Sequence, residues 1–216
     1  YKLTIIVTIK NKKTLNVIII IPARIDSSRL KKKLLRNISG LPMIVRVAQN
    51  AENSKIGRVI VGTDSREIYN ECEKNNLEAM MTKSSHKSGT DRVYEVYKIL
   101  NKDFDLIINL QGDLPIFKKD LLEKTIKLFS DDSVDIGSAV CDLEDSEIND
   151  NNIVKAKVVL DNYDEGFALD FMRTVDCTKN IYHHIGVYIY KPNVLKEFVS
   201  LLQSKREKER NLEQMR

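Results

Sequence analysis

A run of β-branched residues that stops at a proline constrains this chain's fold more than any other feature. Val17–Ile21 reads Val-Ile-Ile-Ile-Ile, and Pro22 follows. Because every position is apolar, the run predicts a strand buried on both faces. A second such run, Asp105–Leu110, stops at a polar turn, Gln111 to Asp113. Strands of this kind are typical of a parallel sheet covered by helices on both sides.

Helical and strand patterns alternate up to Val140, which indicates parallel βαβ units and a three-layer α/β sandwich. In such sheets ligands bind beyond the carboxyl ends of the strands. The loops after Ile21 and Leu110 lie at that edge. The other predicted elements are helices near Pro42 and over Ser65–Asn75, Gly89–Leu100 and Asp120–Phe129, and strands over Arg58–Val61, Glu78–Met81 and Val134–Val140.

After Val140 the alternation of helix and strand patterns ends. Ala156–Leu160 and Phe167–Phe171 flank a turn and predict an antiparallel hairpin, and Ile185–Tyr190 predicts a further strand. The segment 191–216 is highly charged and predicts a helix that is broken along its length. Apolar residues alternate in the hairpin, and a surface of that kind calls for a partner.

Composition excludes several classes of function. Lys and Arg total 35 against 31 acidic residues, and the net charge of +4 is too small and scattered to indicate nucleic-acid binding. The aliphatic run Val17–Ile21 is far shorter than the ~20 residues of a membrane helix, so no membrane insertion is expected. Cys72, Cys141 and Cys177 lie far apart, which favours a reducing cytoplasm over a disulfide or zinc framework.

The loop after the first strand carries the strongest chemical signal. Arg24, Arg29 and Lys33 bring positive charge to a loop whose small residues allow close approach of a ligand. This arrangement favours binding of a triphosphate over a merely solvated basic loop. The sequence has neither a Walker lysine motif nor GxGxxG, so P-loop and dinucleotide sites are excluded.

An ordered set of motifs runs from about Val17 to Arg216. Its segments are Pro22-Ala23-Arg24, Ser28-Arg29, Lys33, Ile38 to Ile44, Val61 to Asp64, Met81-Thr82, His86 to Arg92, Asn109 to Asp113, Val158 to Leu160, Ala168-Leu169, Phe171, Arg173, His184 to Tyr188 and Leu212 to Arg216. Taken in this order, the set resembles the CMP-Kdo synthetase (3-deoxy-manno-octulosonate cytidylyltransferase) family. CMP-sialic acid enzymes share the opening loop but look less like the later motifs.

The resemblance implies a Rossmann-like nucleotidyltransferase sandwich over residues 17–216, with an antiparallel dimerisation part at about 156–190 and a homodimer. Residues 1–16 have no family counterpart. The implied reaction moves CMP from CTP to the anomeric hydroxyl of 3-deoxy-manno-octulosonate (Kdo) for lipopolysaccharide synthesis, releasing pyrophosphate. It uses Mg²⁺ and proceeds by positioning and charge neutralisation.

The resemblance also implies the site residues. Asp113 would hold the metal and, with Arg24 and Lys33, form the catalytic group. Two further sets follow: for the nucleotide, Pro22, Ala23, Arg24, Arg29, Lys33, Ser88, Gly89 and Gln111; for the sugar acid, Arg173, His184, Tyr188, Glu213 and Gln214.

The residues by themselves leave some of these roles open. An aspartate in a Gln-Gly-Asp turn is more often a turn residue than a ligand, although the adjacent phosphate loop favours the ligand. His184 and Tyr188 lie four apart in a strand and so share one face, which permits either one pocket or a half-buried histidine.

Three departures from the family pattern bear on activity. Leu114 replaces a family glutamate next to Asp113. The loop around Lys33 lacks the family's Pro-Gly and Pro. The family's final strand, its VDTPED turn with a second metal ligand, and its terminal helix would follow Arg216. We therefore expect CTP binding with very slow transfer or none, unless another acid, such as Asp91 or Glu95, completes the metal site.

Alternatives stay open from sequence alone. They are a cytidylyltransferase for another acidic sugar or another nucleotidyltransferase of the same fold, and a catalytically silent paralogue that binds nucleotide or dimerises. A dinucleotide oxidoreductase fits the fold class but lacks the glycine fingerprint.

Overall fold

A computed structural model describes residues 15–25, 30, 32–162 and 164–216 of the protein. In chain order the strands are β1 (Val17–Ala23), β2 (Asn37–Ile38), β3 (Leu41–Pro42), β4 (Arg58–Thr63), β5 (Ala79–Met81), β6 (Leu106–Leu110), β7 (Ile136–Cys141), β8 (Lys155–Leu160), β9 (Gly166–Met172) and β10 (Ile181–Tyr190). The helices are α1 (Met43–Asn53), α2 (Arg66–Lys74), α3 (Gly89–Leu100), α4 (Lys119–Lys127), α5 (Pro192–Ser200) and α6 (Lys205–Arg210).

The sheet is built around β1. Its strand order is β5-β4-β1-β6-β10-β8-β9, and β7 pairs with the free side of β10. β1 is parallel to β4 and β6, and β5 is parallel to β4. β10 is antiparallel to β6 and to β7, so it separates two strands that run in the same direction. The carboxyl ends of β1, β4 and β6 therefore meet at one edge.

Helices cover both faces of the sheet, as expected for strands that are apolar at every position. Side chains alternate between the faces along a strand. Ile19 and Ile21 of β1 pack in a cluster with α1, α2 and α4, whereas Ile18 and Ile20 pack in a second cluster with α3 and α5. These four isoleucines are fully buried. The result is the three-layer sandwich predicted from the sequence.

β10 links the main sheet to a small antiparallel part. Its carboxyl-terminal half pairs with β6, its amino-terminal half pairs with β8, and β7 follows the opposite side of the strand. The pairing with β7 is interrupted by a bulge between Ile185 and Tyr188. β8 and β9 form the predicted antiparallel hairpin. One strand thus spans both parts of the sheet, and it begins at Ile181, ahead of the predicted Ile185.

The charged carboxyl-terminal segment is broken, as predicted. α5 begins with Pro192 in its first turn, where proline is favourable because its missing N–H would be unsatisfied. A short α6 follows, and then a 3₁₀ turn over Glu213–Met215. Among the helices that the structure describes, none has both the length and the apolar character required to span a bilayer.

Candidate functional site

The predicted nucleotide side of the site lies where β1, β6 and α3 come together. A Cβ atom on Gly89 would lie 3.3 Å from Cγ of Pro22 and 3.7 Å from Nε2 of Gln111, so these three residues are in close contact. Gln111 Nε2 donates to Asn109 Oδ1 at 3.2 Å. A Cβ atom on Gly186 would lie 2.9 Å from Gln111 Cγ, and a larger residue there would displace Gln111. The structure therefore brings together three of the predicted nucleotide contacts.

Adjacent lysines of the basic loop point to different partners. Lys33 Nζ lies 2.6 Å from Asp113 Oδ2, which joins the loop after β1 to the turn after β6. Lys32 adopts a left-handed backbone, with φ of 51°, and its Nζ lies 2.6 Å from Glu67 Oε2 on α2. Lys33 is thus the lysine turned towards the predicted metal ligand. Arg24 is exposed, and the predicted Arg29 lies outside the described residues.

The amino terminus of α3 faces the same edge. Ser88 is its N-cap and forms a capping box with Asp91, in which Asp91 N donates to Ser88 Oγ at 3.1 Å and Ser88 N donates to Asp91 Oδ2 at 3.1 Å. The amino end of a helix carries partial positive charge and suits an anion. Ser88 and Gly89 therefore present a positive backbone terminus beside Pro22.

A buried ion pair anchors the loop after β1. Arg92 Nη2 lies 2.7 Å from Asp64 Oδ2, and the side chains are 3% and 13% exposed. Arg92 Nη1 also donates to Thr82 Oγ1. Asp64 Oδ1 accepts a hydrogen bond from Ile25 N at 3.3 Å. The pair connects α3, the end of β4 and the loop that follows Arg24.

The predicted sugar side is lined by β10. The ring of His184 lies 5.3 Å from that of Tyr188 and 5.2 Å from that of Phe171, measured between centroids. His184 Nε2 is 2.9 Å from Ser138 Oγ. The amide Nε2 of Gln214 donates to the hydroxyl of Tyr188. His184 and Tyr188 are therefore neighbours, as the shared face of the strand predicted, and Gln214 joins them through the Tyr188 hydroxyl.

Burial controls the ionisation of this group. It lowers the pKa of His184 to about 4, with a smaller contribution from the neighbouring His183. Burial also raises the pKa of the Tyr188 hydroxyl. Both side chains are therefore neutral near pH 7. Neutral hydrogen-bonding groups suit recognition of hydroxyl groups.

A hydrogen-bonded chain connects the two sides of the site. Asn109 Nδ2 donates to Thr90 Oγ1 at 3.2 Å, and Thr90 Oγ1 donates to Glu213 Oε2 at 3.0 Å. Burial raises the pKa of Glu213. Its Oε1 atom is buried and accepts no hydrogen bond from the described residues, although Arg216 Nη2 lies 3.6 Å away. Glu213 is thus held through Thr90 by Asn109 of β6, the strand that precedes Gln111.

Arg173 lies just beyond β9, and its guanidinium contacts backbone. Its Nη1 donates to Asn151 O at 2.9 Å and to Asn152 O at 3.4 Å. No hydrogen bond joins Arg173 to His184 or Tyr188 among those found in the described residues. It is therefore the predicted sugar contact that the structure leaves apart from the others.

The acids considered as a second metal ligand are already engaged. Asp91 belongs to the capping box of α3, and Glu95 Oε2 lies 2.5 Å from His86 Nε2 and accepts from Lys83 N at 2.9 Å. Within residues 15–25, 30, 32–162 and 164–216, no three His, Cys, Asp or Glu side chains are grouped to hold a metal ion. Of the acids predicted for the metal site, Asp113 is the one that contacts the basic loop after β1, through Lys33.

Sequence reasoning gave no role to Asp64, Thr90, Arg92 or Asn109, although all four lie in matched motifs. A signal was present for two of them. Asn109 is a polar residue within a strand whose other residues are apolar, and Arg92 lies four residues before Val96 and so on the buried face of α3. A buried polar group requires a partner, so both positions indicated an internal network.

His184 should make the protein less stable in acid. Since its folded pKa is lowered to about 4 from 6.5, its contribution is fully present above pH 6.5 and is lost as the pH falls towards 4. The loss amounts to about 3 kcal/mol over that window. Urea unfolding of the wild type and of His184→Gln at pH 7.5 and 4.5 measures it. We expect the variant to lose about 2–3 kcal/mol less than the wild type. Equal losses would contradict a neutral, buried His184.

Comparison with known proteins places this geometry in context. A family model described as cytidylyltransferase matches residues 18–216. The chain is 38% identical to 3-deoxy-manno-octulosonate cytidylyltransferase of Brucella anthropi over 94% of this chain and 84% of that protein. It is 39% identical to the protein of the same name from Nitrobacter hamburgensis, over 92% and 79% of the two chains.

A solved structure agrees with these relatives. CMP:2-keto-3-deoxy-manno-octonic acid synthetase complexed with CTP superposes with a TM-score of 0.80 at 31% identity, covering 93% of this chain and 84% of that chain. The superposition covers most of this chain and shows that the chain has the nucleotidyltransferase fold.

Proposed function

Because this chain belongs to the 3-deoxy-manno-octulosonate cytidylyltransferase family, we propose that it transfers CMP from CTP to the anomeric hydroxyl of Kdo. The anomeric oxygen forms a bond to the α-phosphorus of CTP. The bond from that phosphorus to the bridging oxygen breaks, and pyrophosphate leaves with the bonding electrons. The hydroxyl proton passes to solvent, and no covalent enzyme intermediate is needed.

One contact carries the proposal. Lys33 Nζ and Asp113 Oδ2 lie 2.6 Å apart at the shared end of β1 and β6, so a cation for phosphate and a carboxylate for metal lie at one edge of the sheet. Pro22, Gly89 and Gln111 adjoin this edge and would hold the nucleotide. In this assignment Arg24 and Lys33 neutralise phosphate oxygens while Asp113 faces them.

The sugar acid would bind against β10. His184 and Tyr188 offer neutral hydrogen-bonding groups, Gln214 contacts the Tyr188 hydroxyl, and Glu213 is fixed by Thr90. Arg173 would supply the positive charge for the sugar carboxylate after leaving its backbone contacts. Holding both substrates in line converts a bimolecular step into an oriented one, which supplies much of the rate enhancement.

Mg²⁺ is part of this proposal. It typically takes one or two protein carboxylates and completes its octahedron with phosphate oxygens and water. A single carboxylate at Asp113, next to a phosphate-binding loop, fits that donor set. When bound, the cation neutralises negative charge on the phosphates. We place the reaction in the cytoplasm, where CTP is available and the thiols of Cys72, Cys141 and Cys177 would stay reduced.

The test is turnover. Pyrophosphate release should require CTP, Kdo and Mg²⁺ together, and UTP or ATP should support at most a small fraction of the rate. N-acetylneuraminate serves as the matched acidic sugar and should not replace Kdo. Release that is equally fast with UTP would refute the cytidine assignment. Pyrophosphate release with N-acetylneuraminate but not with Kdo would refute the sugar assignment.

We also propose a homodimer built on the hairpin. Val159 and Phe167 are paired across β8 and β9, so they share a face. Leu169 lies two residues further along β9, where the register of the pairing shifts. The three residues are 55%, 74% and 60% exposed. β9 is also the edge strand of the sheet. An apolar patch beside an open edge fits a second copy of this chain, because a two-fold axis makes one patch complementary to itself.

Replacing Phe167 by glutamate should dissociate this dimer. Each protomer would then bury an unpaired carboxylate in the apolar contact, which costs several kcal/mol. Light scattering after size exclusion at micromolar concentration should give twice the chain mass for the wild type and the chain mass for Phe167→Glu. Leu202→Glu, at another highly exposed leucine, is the control and should leave the dimer intact. A monomeric wild type would contradict the proposal.

A further inference from the structure

Lys155 is a lysine that the folded chain buries completely. Its side chain lies in β8 at 0% exposure. Lysine is almost never fully buried without partners. Its Nζ donates to Asp150 O at 2.6 Å and to Arg173 O at 2.9 Å. One ammonium therefore holds the segment that enters β8 and the residue that leaves β9.

The same two segments are joined a second time by Arg173. Its guanidinium donates to the carbonyl oxygens of Asn151 and Asn152. The backbone of Arg173 is therefore held from the interior by Lys155, while its side chain is held from outside by the chain next to Asp150. The carboxylates of Asp150 and Glu147 attract the ammonium, and the Arg173 guanidinium repels it. Removing Lys155 would free the carbonyl of Arg173, and the side-chain contact and the pairing of β8 with β9 would remain.

The strand that leads to Arg173 also carries an aromatic ring of the predicted sugar side. Phe171 lies two residues before Arg173, and its ring meets His184 edge-on at 5.2 Å. Arg210 Nη1 donates to Phe171 O at 2.7 Å and fixes the strand on that side. The position of Phe171 and Arg173 is thus set by two cations, Arg210 before the strand end and Lys155 after it.

We propose that Lys155 is a positioning residue for the sugar-acid subsite. Its ammonium holds the main chain at Arg173 so that the guanidinium, once released from Asn151 and Asn152, reaches the sugar carboxylate from a fixed backbone. Lys155 touches no substrate. The inference rests on the proposed function, because it takes Arg173 as the partner of the sugar acid.

Replacing Lys155 should change the KM values of the two substrates by different amounts. Losing a hydrogen bond from a charged donor typically costs enough free energy to weaken an interaction about 10-fold or more. In Lys155→Met the KM for Kdo should rise about 10-fold, while the KM for CTP should change by less than about twofold. A residue that only supports the fold would lower the melting temperature and alter both KM values alike. Lys155→Gln, which retains N–H donors, should recover part of the loss for Kdo.

A double-mutant cycle tests whether Lys155 acts through Arg173. If it does, Lys155→Met should add no further rise in KM for Kdo to Arg173→Ala. Lys157→Met, an exposed lysine of the same strand, is the control and should resemble the wild type. Additive effects, or equal changes in both KM values, would overturn the proposal. Failure of both Lys155 variants to fold would also overturn the proposal, because Lys155 would then be required for folding itself.

Hydrogen–deuterium exchange keeps this test separate from the proposed function. Without any substrate, Lys155→Met should show faster amide exchange around Arg173 than the wild type, with unchanged exchange in α3. A wild type that does not use CTP and Kdo would refute the proposed function alone. Unchanged exchange around Arg173 would refute the role of Lys155 even in an active enzyme.

Discussion

Replacing Asp113 by asparagine should lower the rate of CMP transfer about 100- to 1000-fold, as is typical when a fixed electrostatic contact to a transition state is lost. Asp113 lies directly after β6, and its carboxylate faces Lys33. Asparagine has nearly the same shape but carries no charge, so its amide oxygen would bind the divalent cation and Lys33 much more weakly than the carboxylate does. Initial rates of pyrophosphate release at several Mg²⁺ concentrations measure the effect, and excess Mg²⁺ should recover only part of the rate.

The control for this variant is Asp120→Asn. Asp120 is an exposed acid of α4 whose Oδ2 lies 4.0 Å from Lys124 Nζ. Its replacement should leave the rate within about twofold of wild type, because exposed pairs contribute little. Asp113→Asn should also unfold at nearly the wild-type denaturant concentration, since the Lys33 contact is partly exposed. A variant at Asp113 with wild-type turnover would remove this residue from the catalytic group.

Replacing Arg92 by methionine should lower the free energy of unfolding by about 3–5 kcal/mol, the usual cost of removing one partner from a buried ion pair. The partner, Asp64, would keep its bond from Ile25 N but lose the guanidinium in a site where water has little access. Urea unfolding at pH 7.5 measures the difference. Because Asp64 also holds the loop after β1, we expect the KM for CTP to rise in the same variant.

An exposed ion pair provides the comparison. Arg58 and Glu78 are 39% and 41% exposed. Arg58→Met should therefore cost no more than about 1 kcal/mol. If the two arginine variants lost equal stability, the buried pair would not be an anchor, and the loop after β1 would have to be fixed by other contacts.

Much of the fold could be predicted because its signals are local. The apolar run at Val17–Ile21 predicts a doubly covered strand, and Ser88 with Asp91 marks the start of α3. The hairpin of β8 and β9 follows from alternation around a turn. What could not be predicted is the position of β10. It pairs with β6, far earlier in the chain, and no local pattern encodes a partner at that separation.

The candidate site divides in the same way. The loops after β1 and β6 were expected at one edge of the sheet, whereas the assignment of Pro22, Gly89 and Gln111 to the nucleotide came from the family resemblance. The opposite directions of Lys32 and Lys33 were not predicted, since they follow from a left-handed backbone at Lys32 in a run of identical residues. The burial of Lys155 was also missed, because its carbonyl partners are brought to it only by the completed hairpin.

The place of β10 has a consequence for synthesis on the ribosome. Of the strands that the structure describes, β10 is made last, yet β6, β7 and β8 all pair with it. At ~5–20 residues per second, the stretch from Leu110 to its partner Val187 takes on the order of 4–15 s. Throughout that time an apolar strand offers an open row of backbone N–H and C=O groups, which invites pairing with other chains. Slower synthesis at low temperature lengthens this interval, whereas chaperone capture of the nascent chain shields it, so soluble yield should depend more on chaperone supply than on the stability of the finished fold.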